Sequence, residues 1–350
     1  METSLTSLTP NERLSSLPVK AHKLRMGLFA PPLVEPFQPS LSLPYLAAQM
    51  RSLGYRPTCH NLSSLFLVWL FRRTRLESMP QYQALWQAID VLKSPVRFFE
   101  PAAYEESLAS LEQFLAELGQ RDHLAYTLFP ESTASTLVDA AEILRVVDQM
   151  EETLLERFLQ DYMGFTLRLE VYDVIAFSAG NALQLAASLF IARLLKRARV
   201  RATLLLGGHA ATLAAEALLQ TPALGDGIDA IILRGGAQAF HAACQDLVHG
   251  KMRRSYSVGD GVEETDGKGF PVDRPYRLVL QHDIQDFYLS PYQVFSVYSA
   301  LGCSYGACTF CSSNRASTPY VPRRIAVLAE EMQILNALRD FTVQHLRQQL

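Results

Sequence analysis

The chain has 350 residues, 49% of them hydrophobic, with 32 Lys plus Arg against 35 Asp plus Glu for a formal charge of −3. That length allows two or three domains, the apolar content supports sizeable cores, and the near balance of charge removes any electrostatic case for nucleic acid. The longest apolar run, Leu65–Phe71, is too short to span a bilayer, and the polar amino terminus has no apolar signal-peptide core.

In chain order, residues 1–22 read as a flexible lead and 23–250 as an α/β domain. Lys23–Phe29 is expected as the first strand, stopped by Pro31 and Pro32, which cannot donate to a ladder. Over Leu43–Gly54, Leu43, Leu46, Met50 and Leu53 recur at helical spacing. Ser42 is the candidate N-cap and Gly54 the stop. Tyr55–His60 follows as a second strand, which completes one β-α-β unit. A helical insertion is expected over about 62–168, with helices at Leu62–Leu76, Pro80–Leu92, Tyr104–Leu118 and Leu137–Tyr162.

The alternation then resumes. Tyr172–Ser178 is an apolar strand without alternation, as strands covered on both faces are. Helix Leu183–Leu195, strand Ala202–Leu206, helix Ala214–Leu219 and strand Asp229–Leu233 follow, and a last helix ends near His249-Gly250. The repeated order of strand, glycine-bearing turn and helix predicts a doubly wound, Rossmann-like parallel sheet, whose ligands bind at the carboxyl ends of the strands. Those ends carry Ala30–Pro32, Ser178–Asn181, Gly207–Thr212 and Gly235–Gln238. Residues 251–290, with Gly259-Asp260-Gly261 and Asp266-Gly267-Lys268-Gly269, read as a linker. Val294–Ser299 is expected as a strand, and Arg323–Leu338 as a helix with Ile325, Leu328, Met332 and Leu335 on one face.

Between those last two elements lie three of the five cysteines. Cys303, Cys308 and Cys311 are spaced C-x4-C-x2-C. Thiolates crowded this closely are most easily explained by a shared metal centre. Three ligands leave a tetrahedral zinc site one short, and His282, 21 residues upstream of Cys303, has no finger-like spacing. Three thiolates do hold three corners of a [4Fe–4S] cluster and leave one iron open to a small molecule. Cys59 and Cys244 are isolated and read as small buried apolar residues. The cysteine usage suits a reducing cytoplasm.

Gly302-Cys303 and Cys308-Thr309-Phe310-Cys311 resemble the cluster loop of radical S-adenosylmethionine (SAM) enzymes. The longer first spacing, with Gly306 inside it, is similar to the subgroup that carries a cobalamin-binding domain ahead of the radical domain. A strand ending Phe177-Ser178, one ending before Gly207-Gly208-His209, and Asp229-Ala230-Ile231-Ile232-Leu233 before a glycine turn look like that cobalamin domain. The resemblance implies a [4Fe–4S] cluster on Cys303, Cys308 and Cys311, with SAM chelated at the open iron and Phe310 near its adenine. It implies reductive cleavage of SAM to a 5′-deoxyadenosyl radical, with cobalamin-dependent methyl transfer as one outcome. It also implies an electron donor such as flavodoxin or ferredoxin, and a cobalamin-type pocket at Ser178, Gly207, Gly208, His209 and Gly235. Two features depart from the family pattern. The histidine motif Asp-x-His-x-x-Gly is missing after the first strand, and Gly235-Gly236-Ala237-Gln238 stands where the subgroup has a Gly-Glu-Gly-Glu run.

Only 39 residues follow Cys311, whereas a closed β/α barrel takes about 200 or more. Residues 291–350 are therefore expected to hold the first βα unit of an incomplete barrel. The chain is read as a fragment, as half of a split enzyme completed by a second chain, or as a decayed member. Two readings of other classes stand beside the enzyme: a non-catalytic cobalamin-binding module with a relic loop, and a zinc-stabilised interaction protein built on the helical insertion.

Overall fold

The central strands are unbroken apolar runs, and the fold covers them on both faces. The computed structural model describes residues 23–76, 81–129, 139–165, 169–233, 236–257, 275–276, 288–292, 294–309, 311 and 320–349. Six strands, β1 (Arg25–Ala30), β2 (Arg56–Asn61), β3 (Val174–Ser178), β4 (Thr203–Gly207), β5 (Ala230–Ile232) and β6 (Ser255–Tyr256), form one sheet in the order β2-β1-β3-β4-β5-β6. Every pairing in it is parallel. Side chains alternate between two cores with the strand period. Phe29, Ile175, Phe177, Leu204, Leu206 and Ile231 enter one, and Met26, Leu28, Val174, Ala176, Leu205 and Ala230 enter the other.

The second core is closed by α1 (Ser42–Ser52) and by α11, which spans Gly236–Val248. Helix α1 ends where its sequence places the stop: Gly54 lies at φ 91°, Gly54 N–H donates to the Arg51 carbonyl at 3.0 Å and Tyr55 N–H to the Met50 carbonyl at 3.0 Å. Its start differs from expectation. Leu41 is the capping position, with no side-chain cap, and Ser42 lies inside the first turn. The Ser42 hydroxyl is used elsewhere, accepting from Ser178 Oγ at 3.1 Å.

The first core is thicker because the insertion fills it. Helices α2 (Leu62–Leu76), α3 (Gln81–Lys93), α4 (Pro101–Asp122), α5 (Ala140–Asp148) and α6 (Leu154–Phe165) pack there. The single helix expected over Leu137–Tyr162 is two helices. Asp139 caps the first, accepting from the N–H groups of Ala141 at 2.9 Å and Glu142 at 3.1 Å. Glu152, at φ 63°, breaks the chain direction, and the Thr153 hydroxyl accepts from Glu156 N–H at 3.3 Å to start the second. After β3 comes α7 (Ala182–Arg197). Beyond β4 the helix expected over Ala214–Leu219 is present as α9 (Ala215–Gln220), flanked by two further short helices, α8 (His209–Leu213) and α10 (Pro222–Gly225).

The carboxyl-terminal region departs further. The expected linker 251–290 supplies the edge strand β6, and its Tyr256, Tyr276, Tyr288 and Leu289 are buried. Its glycine-rich stretches lie outside the described residues. Val294–Ser299 is not a strand. The side chains of Phe295, Val297 and Tyr298 pack around Tyr45 and Ala48 of α1 instead, and Tyr298 N–H donates to the Tyr45 hydroxyl at 3.2 Å. The strand begins later, as β7 (Ala300–Leu301), and pairs antiparallel with β8 (Val321–Pro322). Helix α12 (Ile325–Gln349) follows. The described part of 291–350 is thus a small antiparallel hairpin and a helix, where a parallel barrel unit was expected. No helix among the described residues is long and apolar enough to cross a membrane.

One half-buried histidine is expected to make the fold acid-sensitive. His60 on β2 stacks on Phe29, with ring centroids 4.6 Å apart, and its Nε2 lies 2.8 Å from the Tyr172 hydroxyl. Burial lowers its pKa from 6.5 to about 4. The unfolded chain therefore binds the proton more tightly, and this stability is lost as pH falls through 6.5 towards 4. The full loss, complete only below pH 4, amounts to about 3 kcal/mol, with about 2 kcal/mol of it between pH 7 and pH 4.5. Urea melts at pH 7 and pH 4.5 should show it, and His60→Asn should flatten the difference.

Candidate metal centre

The cysteine loop departs from one side of the β7–β8 hairpin and returns to the other. Its base is closed by the register pairs Ala300 with Pro322 and Leu301 with Val321. A further bond runs from Arg323 N–H to the Ser299 carbonyl at 2.9 Å. Gly302 at φ 67° and Gly306 at φ 60° bracket Cys303, a backbone conformation that residues with side chains rarely adopt. The Cys303 thiol is exposed and accepts from Gly306 N–H at 3.5 Å. That N–H, with a smaller contribution from Tyr305 N–H, holds the thiol pKa below its usual value. Cys308 and Cys311 are half-buried on one turn, closed by Cys311 N–H donating to the Cys308 carbonyl at 3.3 Å.

Among the described residues, no three His, Cys, Asp or Glu side chains are gathered as they would be around a bound ion. The donor chemistry nevertheless fits an iron–sulfur cluster: three thiols on one short loop, with backbone N–H groups directed at sulfur, a recognised influence on such clusters. The remaining cysteines are of a different kind. Burial pushes the Cys59 thiol up to about 11 and raises that of Cys244 further, so both are inert. Phe310 lies outside the described residues.

The other predicted residues collect at the carboxyl end of the sheet. Strand order reverses between β1 and β3, the point where doubly wound sheets bind ligands. Ser178 pairs with Gly207 across the β3–β4 ladder, and Ser178 also holds Ser42 at the start of α1. Gly208 is at φ 107°, and a Cβ there would stand 2.3 Å from the Ala179 carbonyl oxygen. The glycine makes room for this chain's own backbone. Gly208→Ala is expected to cost about 2 kcal/mol from backbone strain and overpacking, read as a lower urea midpoint. His209 is half-buried at the first position of α8, and burial lowers its pKa. Gly235 lies outside the described residues.

A side-chain lattice braces this edge. Asn181 Nδ2 donates to the Leu33 carbonyl at 3.0 Å and Gln184 Nε2 to the Pro31 carbonyl at 2.9 Å, tying the loop after β1 to the start of α7. The segment ahead of the cysteines crosses the same edge. Leu289 N–H donates to the Pro36 carbonyl at 2.8 Å, Asn61 Nδ2 to the Tyr288 hydroxyl at 3.1 Å, and Ser296 Oγ to Gln38 Oε1 at 2.9 Å.

Three residues with no place among the sequence expectations fix this arrangement. The Arg323 guanidinium and Glu331 carboxylate pair at 2.6 Å with both side chains wholly buried, and the buried Tyr45 hydroxyl donates to Glu331. The sequence carries one faint signal for them. Glu331 stands midway between Val327 and Leu335 at four-residue spacing, an acid within an apolar row. That row is the buried face of α12. Ile325 and Met332, expected inward, are 84% and 58% exposed.

Neither any protein-family model, nor any curated protein, nor any solved structure matches the chain.

Proposed function

We propose that the chain is a radical SAM protein whose cluster is held by Cys303, Cys308 and Cys311, mounted at the carboxyl edge of a doubly wound domain. The observation that carries the reading is the C-x4-C-x2-C loop itself, with an exposed Cys303 thiol that accepts from Gly306 N–H at 3.5 Å. When bound, such a cluster supplies one electron to SAM, and cleavage at its sulfonium follows. The chain's own residues do the holding. Gly302 and Gly306 bend the loop, the two N–H groups favour thiolate at Cys303, and the β7–β8 pairing closes the base. Ser178, Gly207 and His209 line the edge where the domain would take cobalamin or another flat cofactor. Completion of a barrel by a second chain, and an electron donor of flavodoxin or ferredoxin type, belong to the same proposal.

Anaerobic reconstitution with iron and sulfide tests it. The expected result is about four irons per chain and an electron paramagnetic resonance spectrum that changes when SAM is added. Absence of iron, or bound zinc indifferent to SAM, overturns the enzyme reading. The first outcome leaves a cofactor-binding module and the second a zinc-stabilised interaction protein.

A further inference from the structure

We infer that Tyr45, Arg323 and Glu331 are positioning residues for the cysteine loop, locking both ends of its base to helix α1 and through it to the carboxyl edge of the sheet. The inference rests on reading that loop as the cluster site.

Tyr45 comes from a distant part of the chain, 286 residues from Glu331, and meets Arg323 and Glu331, which lie eight residues apart. The Tyr45 hydroxyl donates to Glu331 Oε1 and accepts from Tyr298 N–H at 3.2 Å and Arg323 Nη1 at 3.3 Å, the full capacity of a hydroxyl. Glu331 Oε1 also accepts from Arg323 Nη1 at 3.2 Å. Its Oε2 accepts from Arg323 Nη2 at 2.6 Å and from Tyr276 N–H at 2.9 Å. Arg323 Nη1 donates in addition to the Tyr298 carbonyl at 3.0 Å. Burial and the bond to Glu331 both raise the Tyr45 pKa, so the hydroxyl remains a donor.

Stability alone is a poor reason for such a knot. A buried ion pair is often no more stabilising than well-packed apolar residues of the same volume. A guanidinium facing a carboxylate adds direction, because both groups are planar and their bonds form only in one relative orientation. The knot is placed where direction matters. Tyr298 and Ser299 precede Cys303 by five and four residues, and Arg323 follows Cys311 by twelve. The knot therefore grips the chain on both sides of the cysteines. At its other end, Tyr45 sits one turn from Ser42, whose hydroxyl meets Ser178 at the end of β3. The loop and the ligand edge of the sheet share one support.

Hydrogen exchange on the full chain, without metal, tests the lock. Tyr45→Phe keeps the ring contacts with Tyr276 and Tyr298, at 5.8 Å and 4.8 Å, and removes only the hydroxyl. The amides of Tyr298–Leu301 and of Val321, Arg323 and Arg324 are expected to exchange about tenfold faster, while those of β3 and β4 stay unchanged. Should that variant fail to fold, Glu331→Gln gives the same readout. In the reconstituted chain, Tyr45→Phe is expected to bind iron but to lose the spectral change on adding SAM. Exchange that rises uniformly, or nowhere, overturns the inference. If the wild-type chain takes up no iron, the cluster reading fails while the exchange result still decides whether the lock exists.

Discussion

Alanine at Cys303, Cys308 or Cys311, introduced singly, is expected to reduce iron from about four per reconstituted chain to below one, because two thiolates cannot retain a cubane. The loop is exposed to half-buried, so the folded domain should hardly notice. Urea midpoints of the metal-free variants should stay within about 0.5 kcal/mol of wild type. Cys59→Ala and Cys244→Ala serve as the contrast. Both positions are buried, so these changes should leave iron untouched while lowering stability. Iron counting and a melt on the five variants separate the two groups. Full iron in Cys303→Ala would remove that residue from the ligand set.

Glu331→Ala is expected to cost about 3–5 kcal/mol, since it strands the Arg323 guanidinium in a site from which water is excluded. That is a large part of the 5–15 kcal/mol by which a typical domain is stable. The double variant Arg323→Met with Glu331→Leu should recover part of the loss, because neither charge then needs a partner, while the Tyr45 hydroxyl and Tyr276 N–H still lack their acceptor. Chemical denaturation of the three chains measures the coupling. A cost below about 1 kcal/mol for Glu331→Ala, the range of an exposed pair, would mean that water reaches the knot.

The readable parts of the chain were those with a local cause. β3 and β4 are Val-Ile-Ala-Phe and Leu-Leu-Leu runs that suit only a strand covered on both sides. Gly54 stops α1 because only glycine adopts φ 91° without strain. The cysteine spacing is likewise local, which is why the candidate ligands could be named. The break at Glu152 was hidden because the apolar row of Leu144, Val147 and Met150 continues into Leu154. β7 and β8 have two residues each, too few for any period to register. The knot was illegible for a different reason. Tyr45 and Glu331 are 286 residues apart, and an acid on a helix ordinarily reads as solvated surface. Burial turned that reading round, and burial is a property of the assembled chain.

The closed base of the hairpin has a consequence for how this region can change over evolution or by design. With both strands paired at Ala300–Leu301 and Val321–Pro322, the chain between them can gain or lose residues at a small entropic cost, since loop closure depends only weakly on length. Lengthening it alters what hangs from the base without disturbing the sheet domain that carries it. The hairpin therefore works as a socket, and transplanting a different ligand-bearing loop between Leu301 and Val321 should give a folded chimera with the donor's metal preference.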